Sequence, residues 1–270
     1  MDALLSNARA RGTWEAKAVG QQRAVSSKGS AGYFEEIRAY RYGYETPFIP
    51  RLFQFEKMNG KSVLEIGVGN GIDAVEMARH GAKYTGLDVT ANHLELTRQN
   101  FRHSLPEYDP RLIHGDLLET EVNRRFDVVY SFGTLHHIAH EDSYLKKIRQ
   151  LLTDDGTLLF SVYSKYSFFN AYLLASWLIK HRCSVPLDHW RSHFAEASPL
   201  EEPVVIKIRP KRKVTRLVEQ SGFRVESYFK RGFVQKYVPL VGKILDPDGV
   251  TLNALGRMLG WYHIFRCKKA

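Results

Sequence analysis

Short apolar, β-branched runs alternate with helical periods along the middle of the chain. Ser62 to Ile66 reads as a buried strand, followed by a helix from Ile72 to His80 with Ile72, Val75, Met77 and Ala78 on its apolar side. Lys83 to Thr90 is a second strand. The next helix, Ala91 to His103, is capped by Thr90 and buries Leu94, Leu96, Thr97 and Phe101. Further strands are predicted at Arg111 to His114, Phe126 to Ser131 and Gly156 to Tyr163, with a helix at Ser143 to Leu152 before the last of these. A helix at Val214 to Gly222 and strands at Phe223 to Lys230 and Trp261 to Cys267 complete the pattern. Strands and helices alternating at this spacing predict an α/β fold with helices on both faces of a mostly parallel sheet and a ligand at the carboxyl ends of the strands.

The remainder does not follow that alternation. Residues 1–32 are rich in Ala, Arg, Ser and Gly and are expected to form a flexible arm. Residues 33–60 concentrate aromatic side chains; Phe34, Ile37 and Arg41 share a helix face, and Thr46 before Pro47 predicts a second helix start. The central unit spans 61–163. Residues 164–213 form one insertion, and 214–270 carry the last helix and strands with a second insertion at 231–260.

Two cysteines, Cys183 and Cys267, make neither a disulfide framework nor a zinc spacing. The start MDALLSNARARG lacks the features of a signal peptide, and the longest apolar stretch, Tyr166 to Ile179, falls short of the about 20 residues a bilayer span needs. A cytoplasmic protein is expected. Its net charge of +10 is uneven: up to Asp142 there are 17 Lys plus Arg against 19 Asp plus Glu, and from Ser143 onward 22 against 10. A cationic half gathers anions, so an anionic acceptor, an anionic lipid or membrane surface, or nucleic acid comes into question. Nucleic acid is the less favoured, because no RNA-binding module or second domain is visible.

Candidate chemistry centres on Lys61 to Ala78, KSVLEIGVGNGIDAVEMA. Gly67, Gly69 and Gly71 stand two apart, so the third glycine comes one residue earlier than the G-x-G-x-x-G of a dinucleotide site. With KYTGLDVT at 83–90, HGDLL at 114–118 and FDVVYSFGTLHHI at 126–138, the chain resembles the class I S-adenosylmethionine-dependent methyltransferases, small-molecule type. The resemblance implies a Rossmann-like seven-stranded sheet with an antiparallel closing pair, S-adenosyl-L-methionine as cofactor, an aromatic lid at 33–60 and substrate caps in the two insertions. It implies further that Gly67, Gly69 and Gly71 line the methionine moiety above Glu65. Asp88 with Val89 would take the ribose, Asp116 with Leu117 the adenine, and Ser131 and Gly133 would lie under the sulfonium. Asn70 departs from the small residue many relatives carry there.

Methyl transfer from a sulfonium needs alignment above all, and a base only where the acceptor must lose a proton. His136 and His137 end the fourth strand near the expected methyl position, and His136 is ranked first because it follows Leu135 directly. His136 and His140 would make a metal pair only if the loop were helical, and metal-independent catalysis is expected. A small-molecule acceptor, with O-methylation favoured, is expected to meet Tyr33, Tyr40, Tyr44, Tyr163, His189, Trp190 and Arg209, the last within a cationic stretch from Lys207 to Arg216. An RNA methyltransferase and a non-catalytic cofactor-binding protein are the alternatives, and the oligomeric state is left open.

Overall fold

A computed structural model describes residues 11–15, 20–181 and 184–270. Seven strands form one sheet: β1 (Ser62–Ile66), β2 (Lys83–Asp88), β3 (Arg111–His114), β4 (Phe126–Phe132), β5 (Leu152–Tyr163), β6 (Phe223–Arg231) and β7 (Tyr262–Lys269). Their order is β3-β2-β1-β4-β5-β7-β6, parallel throughout except that β7 runs antiparallel between β5 and β6. This is the predicted Rossmann-like sheet. Strand order reverses beside β1, so the loops after β1 and β4 part there and leave a crevice at the carboxyl ends.

Each face of the sheet carries its own core. Leu64, Ile66, Val129, Leu158 and Phe160 pack with Leu145, Ile148 and Val218 from the helices Glu141–Leu151 and Lys211–Gln220. Val63, Tyr84, Val128 and Tyr130 pack with Val75 and Met77 from the helix Ile72–Arg79 and with Phe53 and Phe55 from the aromatic segment. Residues alternate between the two clusters along β1 and β4, as the two-residue period of a strand requires.

Several local expectations are corrected. Thr46 and Pro47 do not open a helix: the Thr46 amide (2.7 Å) and hydroxyl (3.1 Å) both donate to the Arg41 carbonyl, closing a π-helical turn at Arg41–Glu45. The following short helix is Ile49–Leu52, with Pro50 in its first turn. Thr90 holds the N-cap position of the helix Ala91–Ser104 but makes no capping bond with its side chain; its amide donates to Asp88 instead. Residues 1–10 and 16–19 of the expected arm, and Cys183, lie outside the described residues; Cys267 is buried in the core. Among the described residues no helix is long and apolar enough to cross a membrane.

Candidate active site

The carboxyl ends of β1, β2, β4 and β5 open into one cavity of about 980 Å³. Its floor is the loop after β1. Gly67 and Gly69 hold φ of 82° and 55°, a region that side chains with a Cβ avoid. A Cβ on Gly67 would stand 2.1 Å from Thr134 Oγ1, so the loops after β1 and β4 approach this closely only because the residue is glycine. Gly71 does not line the cavity; a Cβ there would lie 2.9 Å from Thr97 Cα, so this glycine permits the contact between the helices Ile72–Arg79 and Ala91–Ser104.

Carboxylates ring this end. Asp88 accepts from the amides of Val68 and Thr90, each at 2.9 Å, and stands 3.4 Å from His93 Nδ1. Burial alone would raise its pKa, but His93 and Thr90 more than offset that and hold it below the ordinary value. Gly69 N adds a longer contact to the same Oδ2 at 3.5 Å, and Oδ1 accepts from Thr90 N, so of the two oxygens Oδ1 is the less crowded. Glu65 receives the Tyr84 hydroxyl at 2.6 Å; burial first, and the Asp73 charge next, push its pKa well up. Asp116 turns back to accept from Leu118 N at 2.8 Å, with Tyr144 beside it. Val89 and Gly133 also face the cavity.

Asp73 joins this group although no sequence reading singled it out. It is clasped by the Arg41 guanidinium (Nε to Oδ1, 2.8 Å), the Tyr42 hydroxyl (2.7 Å) and the Tyr130 hydroxyl (2.5 Å). Its pKa stays below normal despite burial, because Arg41 and these hydrogen bonds favour the charged form. The only available signal was position, two residues beyond the last glycine of the motif.

The far end of the cavity is aromatic. Tyr40, Tyr44, Tyr163, Phe168, Phe169, Tyr172, Tyr237, Trp261 and Tyr262 line it, drawn from the segment before β1, the end of β5, both insertions and the start of β7. Tyr163 stacks on Trp261 with ring centroids 4.3 Å apart.

Between the two ends stands His137. Its Nδ1 bonds the Val205 carbonyl at 2.9 Å, and since a carbonyl can only accept, Nδ1 carries the proton. Nε2 then points toward Glu196 Oε2 at 3.7 Å, and the other oxygen of Glu196 accepts from the Tyr163 hydroxyl at 2.8 Å. The Trp14 ring meets His137 edge-on at 4.9 Å.

The placement of the rings reverses the order expected of the two histidines. His136 is wholly enclosed and does not line the cavity; its ring lies 3.8 Å from that of Tyr163, and neither ring nitrogen has a hydrogen-bond partner. Burial, with His137 adding, holds its pKa well below that of an ordinary histidine. The His136–His140 pairing is also absent, because residues 135–137 form a single 3₁₀ turn and the helix begins only at Glu141. Ligand atoms of His136, His137 and Glu196 do come within 4.8 Å of one another.

Other expected residues lie off the cavity. Leu117 is core, and Ser131 donates to the Ile66 carbonyl at 3.1 Å. Tyr33 packs with Phe34, Ile37, Ile72 and Leu96. His189 Nδ1 bonds the Leu200 carbonyl (2.7 Å), and the Trp190 indole donates to Ser176 (3.0 Å). Arg209 is paired with Glu141, as is Lys207 at 3.1 Å, and the Lys207 ammonium also donates to the Ile138 and Ala139 carbonyls. Lys207 and Arg209 thus brace the loop after β4, and neither they nor the rest of the cationic stretch line the cavity. Glu141, 66 residues before Lys207, is the counterion of both.

A family model described as a methyltransferase domain matches residues 34–228. Curated relatives include a ubiquinone biosynthesis O-methyltransferase from Stutzerimonas stutzeri, 32% identical over 39% of this chain and 46% of its own. Another of that description, from Actinobacillus pleuropneumoniae serotype 5b, is 33% identical over 43% of this chain and 50% of its own. The chain spans about half the length of these relatives. Among solved structures, magnesium protoporphyrin IX methyltransferase from Synechocystis PCC 6803 with bound SAH superposes over 98% of this chain and all of its own, with a TM-score of 0.62 at 12% identity. An S-adenosylmethionine-dependent methyltransferase from Mesorhizobium loti gives 0.55 at 18% identity, over 82% of this chain and 97% of its own. At such identities these two speak to the fold alone. The match over residues 34–228, on this sheet and this loop, establishes that the chain belongs to the class I S-adenosylmethionine-dependent methyltransferase family.

Proposed function

We propose that this protein methylates a hydroxyl oxygen of a small, amphiphilic organic acceptor, and that His137 takes the proton. The observation that carries the reading is the position of His137, with its Nε2 free of hydrogen bonds to the protein, between the carboxylate-ringed glycine loop and the aromatic end of one cavity. The relatives named as ubiquinone biosynthesis O-methyltransferases support oxygen as the methylated atom.

The residues of the loop end fit S-adenosylmethionine. Gly67 leaves a cradle that a Cβ would fill, Asp88 lines the cavity as a charged carboxylate whose Oδ1 is the less crowded oxygen, and Asp116 faces the cavity where the adenine amino group is expected. The bound sulfonium supplies an activated methyl group and a neutral thioether as leaving group. The chain itself aligns the acceptor: Tyr40, Tyr44 and Tyr163 offer flat faces to its body, while Glu45 and the Arg41–Asp73 pair border the passage between the two ends. His137 Nε2 receives the proton as the O–C bond forms, and Glu196 stabilises the imidazolium at 3.7 Å while Val205 keeps the ring from turning.

Incubation with methyl-labelled donor and fractionated metabolites tests this. Label is expected in an alkali-stable ether in the small-molecule or lipid fraction, and His137→Gln should lower turnover by about 100-fold or more while binding S-adenosylhomocysteine as the parent does. His136→Gln should bind the donor and turn over near the parental rate if it folds. Label in RNA, or in nothing, would overturn the reading. A chelator should leave turnover unchanged; loss restored by a divalent cation would instead make His136, His137 and Glu196 metal ligands.

A further inference from the structure

The helix Phe168–His181, in the first insertion, is amphipathic the wrong way round for a helix of a soluble core. Its buried residues are Asn170, Leu173 and Ser176. The polar pair inside bonds within the cap: Asn170 Nδ2 donates to the Lys165 carbonyl at 2.8 Å, leaving its Oδ1 without a partner, and the Ser176 hydroxyl donates to the Leu173 carbonyl and receives the Trp190 indole. What the helix shows to solvent is apolar. Leu174 is 40% exposed, Leu178 50% and Ile179 77%, with Ala171 and Ala175 on the same side. At helical spacing 171, 174, 175 and 178 make one stripe.

The second insertion continues that surface. Leu240, Val241, Ile244, Val250 and Met258 are all exposed there, so that the large exposed hydrophobic side chains outside the two insertions and their flanks are only Val25 and Leu118 among the described residues. The two patches are joined at one point: the Lys230 ammonium donates both to the Tyr166 carbonyl, just before the first helix, and to the Met258 carbonyl at 2.6 Å. The same segments supply walls of the cavity through Phe168, Tyr172, Tyr237 and Pro239. An apolar exterior and an aromatic interior therefore meet at the acceptor end.

Charge identifies the occupant. Lys165, Lys180, Lys236, Lys243 and Arg257 are exposed on these segments, and none is in an ion pair among the described residues. A second copy of the chain seated on this face would bring the cations against like charges, whereas a bilayer with anionic headgroups takes the apolar side chains into its interface and neutralises the cations at its surface. We infer that the two insertions dock the protein, peripherally, on an anionic phospholipid surface, and that the acceptor is an amphiphile drawn from that bilayer into the aromatic end of the cavity. The second half of this rests on the proposed methyl transfer; the first does not.

Flotation with vesicles tests docking without any turnover. The parent protein should bind vesicles of equal phosphatidylglycerol and phosphatidylcholine about tenfold or more tightly than vesicles of phosphatidylcholine alone, and raising salt from about 0.05 to 0.5 M should weaken that binding. Leu174→Glu with Leu178→Glu, and separately Ile244→Glu with Met258→Glu, should each abolish flotation. None of these four lines the cavity, so both variants should bind S-adenosylhomocysteine in solution as the parent does. If a glutamate variant fails to fold, Lys180→Gln with Lys243→Gln and Arg257→Gln carries the test, and should remove the preference for the anionic vesicles. Equal flotation of parent and variants, no flotation of the parent, or a dimer in solution that the glutamate variants dissociate would each overturn the inference. Failure of the parent to bind S-adenosylhomocysteine would instead strike the methyltransferase reading and leave the vesicle result standing.

Discussion

The two ends of the cavity are built in opposite ways. At the loop end, backbone amides, glycines and carboxylates meet because they leave the carboxyl edges of adjacent parallel strands: Gly67 and Gly69 after β1, Asp88 at the end of β2, Gly133 after β4. Their relative positions follow from the sheet register alone, with Ile66 beside Leu87 and Glu65 beside Tyr130. At the aromatic end register sets only Tyr163 against Tyr262, across β5 and β7. Tyr44, Tyr172, Tyr237 and Trp261 come from four separate segments and are fixed by ring contacts such as Phe168 on Tyr237 at 4.8 Å and Phe169 on Trp261 at 5.0 Å. A shared scaffold thus holds one ligand rigidly, while the other is recognised by pieces free to vary.

Arg41 and Asp73 tie the ends together, and breaking that tie has the largest expected effect. Asp73→Asn strips the Arg41 guanidinium of its charged partner and leaves the Tyr42 and Tyr130 hydroxyls with a weaker acceptor. Losing one member of a buried pair costs about 3–5 kcal/mol, and because the Arg41 side chain keeps 20% of its exposure, the low end of that range is expected. Urea unfolding followed by fluorescence measures it. A loss under about 1 kcal/mol would mean that the π-helical turn is held by its own backbone and that the two ends are independent.

Asp88 separates the ends instead of joining them. Replacing it with alanine removes a charged carboxylate that lines the cavity, and a hydrogen bond to a charged group contributes about 1.5–3 kcal/mol. Calorimetry should show S-adenosylhomocysteine binding weakened by that amount for Asp88→Ala and unchanged for Tyr44→Phe at the other end. Equal losses in the two variants would dissolve the distinction between a register-built and a contact-built end.

That distinction also explains what could be read in advance. The strands, and Gly67 and Gly69 of the loop, follow from local patterns, an apolar run, a glycine spacing and an acidic strand end, while the sheet arrangement came through the family resemblance. Which histidine ring lines the cavity did not follow from such patterns, because it depends on a contact with the Val205 carbonyl across 68 residues of chain. Trp190 and His189 looked like substrate contacts in an aromatic, polar loop, yet a buried indole needs an acceptor and found Ser176 within its own cap. Lys207 and Arg209 looked free in a cationic stretch; their counterion, Glu141, sits at the start of a helix that no charge count connects to them. Local chemistry was legible, and its long-range partners were not.

The smallest effect expected is a proton. Glu65 is held neutral above its ordinary pKa of 4.5, by burial first and by the charge of Asp73 next. The folded protein therefore keeps this proton over an interval in which the unfolded chain has released it. Any stability due to Glu65 is present in full below the ordinary value and declines as pH rises toward the raised one. S-adenosylmethionine carries a sulfonium and an ammonium against one carboxylate, and bringing that net positive charge to this end of the cavity favours the ionised carboxyl, so binding should expel up to one proton. Donor affinity should then increase with pH across that interval, by at most about tenfold per unit. Calorimetry in two buffers of different ionisation enthalpy reads the proton directly. Glu65→Gln should release none and flatten the pH dependence, while Asp73→Asn, by removing the neighbouring charge, should shift the interval to lower pH. Proton release that persists in Glu65→Gln would assign the linkage elsewhere, with His93 beside Asp88 the next group to replace.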